Sequence, residues 1–156
     1  MNDPSVDLLL KNLKDDNAAL RAQATQELWR RWFYQKGVHG LQLLEQAQRL
    51  LDAGAIDAAE AALTEVINQQ PDFAEAWNRR AVLYYLQHRY RKAIADCQQV
   101  IALNPIHFGA LHGTGLCYMA LGDYSNAIYA FRQALNIQPH AIENQRLILE
   151  CNAKLS

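Results

Sequence analysis

The sequence predicts an all-α fold, an α-solenoid of antiparallel helix pairs, and three observations carry that expectation. First, Pro71, Pro105 and Pro139 are evenly spaced, and a fixed period of this kind marks a stacked array of supersecondary units. Second, aligning the chain on those prolines brings the upstream residues into register. Leu43 falls with Trp77 and Leu111, Ala47 with Ala81 and Gly115, and Leu50 with Tyr84 and Tyr118. Further along, Ile56 matches Tyr90 and Tyr124, Ala59 matches Ala93 and Ala127, and Leu63 matches Cys97 and Phe131. Third, the chain is 51% hydrophobic and 20% charged, which is the balance of a globular chain and not of a disordered one.

Residues 1–39 lie outside the period. Pro4 suits a first helical turn, and Val6, Leu9, Leu10 and Leu13 make a short apolar stripe. Asp15, Asp16 and Asn17 then offer N-cap oxygens to a second helix along which Leu20, Ala24 and Leu28 recur at every fourth position. Trp29, Trp32 and Phe33 widen its stripe. With Tyr34 they cannot all face one way on a helix, so Trp29 with Phe33 or Trp32 is expected to pack on the first repeat and the rest to be open to a partner. Gly37 and Gly40 are read as the end of that helix.

The first repeat takes Leu41 to Asp52 as one helix and Ile56 to Asn68 as the next. In the second of these, Ala59, Ala62, Leu63 and Val66 face inward. Proline disfavours helix in the residue before it and cannot donate to a helix ladder, so Pro71 begins the step to the next unit. The second repeat runs Ala74 to Leu86, turns, and returns through Arg91 to Leu103. The third runs Phe108 to Leu121, turns at Gly122-Asp123, and returns through Tyr124 to Ile137. Ala141 to Leu155 is a terminal amphipathic helix. The chain thus divides into a helical hairpin or cap at 1–39, repeats at 40–73, 74–107 and 108–141, and a capping helix at 142–156, all in one continuous domain.

The units resemble tetratricopeptide repeats. Leu111, Gly115, Tyr118, Gly122, Tyr124, Ala127, Phe131, Ala134 and Pro139 meet nearly every signature position. Trp77, Ala81, Tyr84, Tyr90, Ala93 and Pro105 keep the pattern in the middle unit, and Leu43, Ala47, Leu50, Gly54, Ala59, Leu63 and Pro71 keep it more loosely in the first. The N-terminal pair is similar to one unit of a HEAT repeat, with Leu-Arg-x-x-Ala-x-x-x-Leu at Leu20 to Leu28. The resemblance implies a right-handed solenoid whose hairpins bury their apolar faces on one another. Small residues belong where helices cross closely: Ala47 against Ala59, Ala81 against Ala93, and Gly115 against Ala127. One departure recurs, in that Gln46, Arg80 and Thr114 replace a large apolar residue. Arg80 is expected to reach an acid of the first repeat, Glu60 or Glu65.

What the resemblance implies about function is a class. In such proteins the first helix of each pair lines a concave groove that grips a peptide or helix of a partner. Carried over, the groove positions are Leu44, Gln48 and Leu51, then Asn78, Arg79, Val82 and Tyr85, then His112, Gly113, Leu116 and Met119, with Arg146 and Glu150 on the terminal helix. Leu51, Val82, Tyr85, Leu116 and Met119 would expose more apolar surface than a monomer usually leaves idle. The other covers for that surface are the chain's own N-terminal segment and a second copy of the chain. A clamp for a C-terminal carboxylate is not expected. Its places hold Leu44, Gln48, Arg79, Gly109 and Gly113, of which only Arg79 is basic.

The leading reading is therefore a non-catalytic adaptor, scaffold or assembly factor. A secretion-type chaperone is the alternative, although such chaperones tend to be strongly acidic. A regulatory subunit of an enzyme complex and an RNA-binding protein rank lower. The RNA reading leans on Arg79, Arg80, Arg89, Arg91 and Lys92. The net charge of −1 lacks the strongly basic face that nucleic acid requires. Charge is uneven along the chain, with six acids against Arg49 at 40–73 and five bases against Glu75 and Asp96 at 74–107, so adjacent repeats should attract one another. No HExxH, CxxC, P-loop or GxSxG pattern is present, and no cofactor, metal or catalytic residue is expected. Cys97, Cys117 and Cys151 read as small buried apolar residues. The first residues carry acids where a signal peptide needs bases, and no apolar run approaches the length of a membrane span. A cytoplasmic protein is expected.

Overall fold

At Gly54, His88 and Gly122, which recur with the same period as the prolines, the backbone enters the left-handed region with φ of 78°, 60° and 78°. Each residue ends a helix in the same way. The amides of Ala55, Arg89 and Asp123 donate to the carbonyls of Leu50, Tyr84 and Tyr118 at 2.9, 2.8 and 2.9 Å. Those of Gly54, His88 and Gly122 donate to Leu51, Tyr85 and Met119, each at 3.0 Å. This pairing closes the last helical turn and reverses the chain. Glycine takes the positive φ without penalty. His88 takes it with its ring Nδ1 against the Tyr90 hydroxyl at 2.6 Å.

The computed structural model describes residues 3–156. Among the described residues there are nine α-helices and no strand: α1 (Val6–Asn12), α2 (Ala18–Phe33), α3 (Gly37–Asp52), α4 (Ile56–Gln69), α5 (Ala74–Leu86), α6 (Tyr90–Leu103), α7 (Phe108–Ala120), α8 (Tyr124–Ile137) and α9 (Ile142–Leu155). From α3 to α9 each helix packs on the next, and α5 also touches α3 and α7. The result is an α-solenoid in which α3, α5, α7 and α9 share one face. Ala59, Ala93 and Ala127, equivalent residues of the second helices, are each 0% exposed, so the close crossings fall where the small residues stand. At Gly115 the neighbour that limits size is Phe131 and not Ala127, since a Cβ there would lie 2.6 Å from Phe131 Cδ1.

The register continues into α9. Trp77 Nε1 donates to the Pro71 carbonyl at 2.9 Å. Gln145, two periods later, donates through Nε2 to the Pro139 carbonyl at 2.9 Å. The complementary charge of neighbouring units is used directly in the pair Arg89 Nη1–Glu60 Oε1 at 2.8 Å.

Two helix boundaries differ from the sequence reading. Gly37 (φ 70°) opens α3 and does not end α2, which stops at Phe33 with Tyr34 as its C-cap. Gly40 lies inside α3, buried where a Cβ would meet a Phe73 ring carbon at 3.4 Å. The division at residue 39/40 therefore falls within a helix. Arg80 is also corrected. Its guanidinium grips Asp96 of its own unit, with Nε–Oδ2 at 2.7 Å and Nη2–Oδ1 at 2.8 Å. It reaches the preceding unit only through the Thr64 hydroxyl at 3.2 Å. Glu60 is taken by Arg89, and a fork-shaped guanidinium satisfies a bidentate carboxylate better than a distant one.

Candidate functional site: the concave face and its N-terminal wall

The N-terminal hairpin positions the site. Ser5 caps α1 through Oγ to the Leu8 amide at 3.1 Å, and Asn17 caps α2 through Oδ1 to the Ala19 amide at 2.9 Å. Leu9 of α1 and Leu13 at its C-cap bury against Ala24 and Leu28 of α2, and the same cluster takes in Phe108 at the start of α7. Trp29 and Trp32 therefore do not pack on the first repeat as expected. Trp32 stacks on His107 with ring centroids 4.3 Å apart, and Trp29 meets His107 and Phe108 edge-on at 5.2 and 5.6 Å. Phe33 alone turns toward α3 and α5, under the Arg79 guanidinium at 4.9 Å. The hairpin thus crosses the starts of α5 and α7. It is held at one end by Lys36 Nζ–Asp72 Oδ2 at 2.7 Å and at the other by Gln138 Nε2 donating to Thr25 Oγ1 at 3.3 Å.

Beneath the hairpin lies a buried polar network that sequence reasoning missed. Glu75 and His107 have side chains 0% exposed and meet at Nε2–Oε1 2.7 Å. The Ala110 amide donates to His107 Nδ1 at 3.0 Å, so Nδ1 is the acceptor, Nε2 carries the proton, and His107 caps α7. Asn78 Nδ2 donates to Glu75 Oε1 at 3.2 Å, and Arg79 Nε stands 3.5 Å from Oε2. Glu75 is the second residue of an ordinary helical turn, and only the fold reveals that a histidine at the far end of the same repeat completes it.

In front of that network, α5 and α7 part to leave an apolar cavity of about 310 Å³. Asn78, Val82, Tyr85, Leu86, His112, Gly113 and Leu116 line it, with Cys97 and Cys117 at its floor. Val82 and Leu86 are 45% and 58% exposed. His112 is held by its Nδ1 against Asn144 Oδ1 of α9 at 2.6 Å. Gly113 keeps the floor open, because a Cβ there would meet only Cys97 Sγ, at 3.6 Å.

The structure gathers most of the expected groove residues and leaves some outside. Asn78, Val82, Tyr85, His112, Gly113 and Leu116 line the cavity. Leu44, Gln48, Leu51 and Arg79 border a small dimple of about 20 Å³ on the α3 side of Val82. Arg79 Nη1 donates to Gln48 Oε1 at 2.8 Å. Met119 packs beside Phe131 and Leu147, away from the cavity. Arg146 pairs with Glu143 at 2.8 Å and with Glu150, so both α9 residues are engaged on its surface. Trp29, Phe33 and Leu86 were not among the expected residues. The aromatic run in α2 was the visible signal for the first two. Of the clamp positions, Gly109 is covered by Trp29, since a Cβ there would lie 2.7 Å from its ring. Of the five bases an RNA reading needs, Arg79, Arg80 and Arg89 are bonded to neighbours.

The three cysteines are free and buried. Burial pushes the Cys97 thiol up to about 12 and Cys117 to about 11, and raises Cys151. The thiolate is the nucleophile, so iodoacetamide at pH 8 should leave all three unmodified in the native protein and alkylate them in denaturant, as read by mass spectrometry. A raised folded-state pKa contributes stability that is fully present below the unfolded value near 9 and is lost as pH rises from there through the folded value of about 12. Among the described residues no group of three or more His, Cys, Asp or Glu is placed to hold a metal ion, and no helix is long and apolar enough to cross a membrane.

Sequence profiles of the family described as tetratricopeptide repeat match residues 74–107 and 108–141, so the chain carries two tetratricopeptide repeats at these positions. It is 35% identical over 97 residues to a TPR repeat-containing protein of Rhizobium etli, covering 62% of this chain and 48% of that one. It is 30% identical over 95 residues to cellulose synthase operon protein C of Escherichia coli strain K12, covering 61% of this chain and 8% of that one. The chain thus spans half or less of the length of these relatives. Among solved structures, the first TPR of Spaghetti (RPAP3), bound to an HSP90 peptide, superposes with a TM-score of 0.70 at 23% identity, over 74% of this chain and 91% of that one. A structure of MamA from AMB-1 superposes at 0.67 and 21% identity, over 96% of this chain and 79% of that one. These likenesses concern the fold.

Proposed function

We propose that this protein is a non-catalytic, cytoplasmic adaptor or assembly factor whose concave face holds a peptide or helix of a partner protein, with α3–α4 as a divergent first repeat. The observation that carries the reading is the apolar cavity between α5 and α7, beside the exposed Val82 and Leu86. It is roomy, nearly free of charge and built on rigid helices, the arrangement that accepts a large apolar side chain. Support comes also from structural neighbours of the same fold, among them TPR domains of RPAP3 bound to an HSP90 peptide and in complex with an HSP70 peptide. Of the five clamp positions only Arg79 is basic, so a partner held by a full carboxylate clamp is not the one proposed.

Gly113→Leu tests the reading, because the new side chain fills the cavity while replacing a helical glycine. Thermal stability should hold or rise, whereas affinity capture should lose those proteins that the unmodified chain retains. Val82→Asp with Leu116→Asp should lose the same proteins. Identical recoveries from folded wild type and variants would reject the groove.

A further inference from the structure

We propose that the groove continues beyond the repeats on to the N-terminal hairpin, where Trp29 and Phe33 wall a second apolar subsite. The segment it takes is amphipathic, with two bulky apolar side chains and a carboxylate that reaches Arg79. This rests on the concave face being a peptide groove. A hollow of about 280 Å³ lies between α2 and α5, lined by Trp29, Phe33, Glu75, Asn78, Arg79 and Val82. It shares Asn78 and Val82 with the larger cavity on the α7 side. These two residues are one helical turn apart on α5, so a segment crossing the Val82 ridge has an apolar hollow on either side of it.

Charge selects the ligand. Among the described residues, Arg79 is the one charged side chain lining either hollow that remains accessible, at 30% exposed against 0% for Glu75. Glu75 lies beneath the surface and is already shared by His107, Asn78 and Arg79. The guanidinium rests over the Phe33 ring, and its Nη1 is spent on Gln48. Its Nη2 edge is left for an incoming oxygen, where a charge-assisted hydrogen bond is short and strong. A lysine in the ligand would meet a like charge instead. The wall is fixed before any ligand arrives, because Trp29 is seated on Gly109, Thr25 of α2 is bonded to Gln138, and Lys36 just beyond α2 is paired with Asp72. Such preorganisation lowers the ordering cost of binding.

A phage-displayed library of random peptides about 12 residues long, panned on the whole chain and counter-screened on Gly113→Leu, supplies the probe. The strongest enriched peptide is then titrated into isotope-labelled protein while the Trp29 indole and the Gly113 and Leu116 amides are followed by NMR. The expected sequences pair two large apolar residues with Asp or Glu, and all three signals move together. Arg79→Gln should remove the preference for the acid and weaken binding by about tenfold, without change in the circular dichroism spectrum. If Gly113 and Leu116 shift while the Trp29 indole stays still, the groove stands and the hairpin subsite falls. Enriched peptides without acids, or an Arg79→Gln variant that binds equally, would remove the carboxylate. If no peptide depends on Gly113, both readings fail together.

Discussion

Replacing Gly115 by alanine will destabilise the protein by about 2–3 kcal/mol, although alanine is the better helix former. The added methyl would stand 2.6 Å from Phe131 Cδ1 and 2.7 Å from Cζ. Phe131 is 0% exposed and packs among Ala127, Ile128, Leu147 and Cys151, so its ring has nowhere to go. In a close-packed interior the strain spreads into off-rotamer side chains and helix displacement. For a chain of this size the melting temperature should fall by about 4–12 °C. Gly113, two residues earlier in α7 and so on nearly the opposite side of the helix, provides the control. A methyl there finds only Cys97 Sγ at ordinary contact distance, so Gly113→Ala should stabilise by about 0.5–1 kcal/mol. Phe131→Leu combined with Gly115→Ala should recover part of the loss, as a coupled pair does. Equal denaturation midpoints for Gly115→Ala and wild type would show that Phe131 can move aside.

The contrast between those two glycines marks where sequence reasoning was sufficient. The even spacing of the units and the small-residue positions depend on local periodicity, so Ala59, Ala93 and Ala127 could be assigned to close crossings in advance, and all three are fully buried. Gly115 could be placed at a crossing as well. Its actual neighbour could not, because whether Ala127 or Phe131 faces it depends on how far one helix is rotated against the other. The same limit explains Arg80. Periodicity placed it on the stacking face, but the choice between Glu60, Glu65 and Asp96 is made by distance in three dimensions.

The hairpin was legible only as two helices. Nothing in the spacing of Trp29, Trp32 and Phe33 says that the two tryptophans meet His107 and Phe108, two whole repeats further along the chain. Such contacts are set by where the stack leaves uncovered apolar surface. The groove was half legible for a related reason. Residues on the first helices follow from the repeat, whereas the wall opposite them comes from outside it. Met119, Arg146 and Glu150 were carried over by register alone, and the terminal helix does not extend the cavity toward them.

His107→Ala should be the most damaging single change at the base of that wall, with a loss of about 3–5 kcal/mol. Three effects act together. Glu75 loses the donor at 2.7 Å and is left with its side chain 0% exposed and only the weaker Asn78 and Arg79 contacts. Stripping a buried carboxylate of its shortest donor is the largest of the three. The Ala110 amide loses its cap, worth about 1 kcal/mol. The Trp32 ring loses its stacking partner and Trp29 an edge contact, about 0.5–1.5 kcal/mol for each aromatic pair. Tryptophan emission should shift to the red as the hairpin loosens, because Trp29 and Trp32 become wetter while Trp77 stays on Pro71. Adding Glu75→Leu to His107→Ala removes the stranded carboxylate and should restore more than half of the loss, while the emission stays shifted because the stack is still missing. That separation of stability from fluorescence distinguishes the two roles of His107. If His107→Ala costs less than about 1 kcal/mol, the Glu75 carboxylate has found other donors or water, and the hairpin is held by its apolar contacts alone.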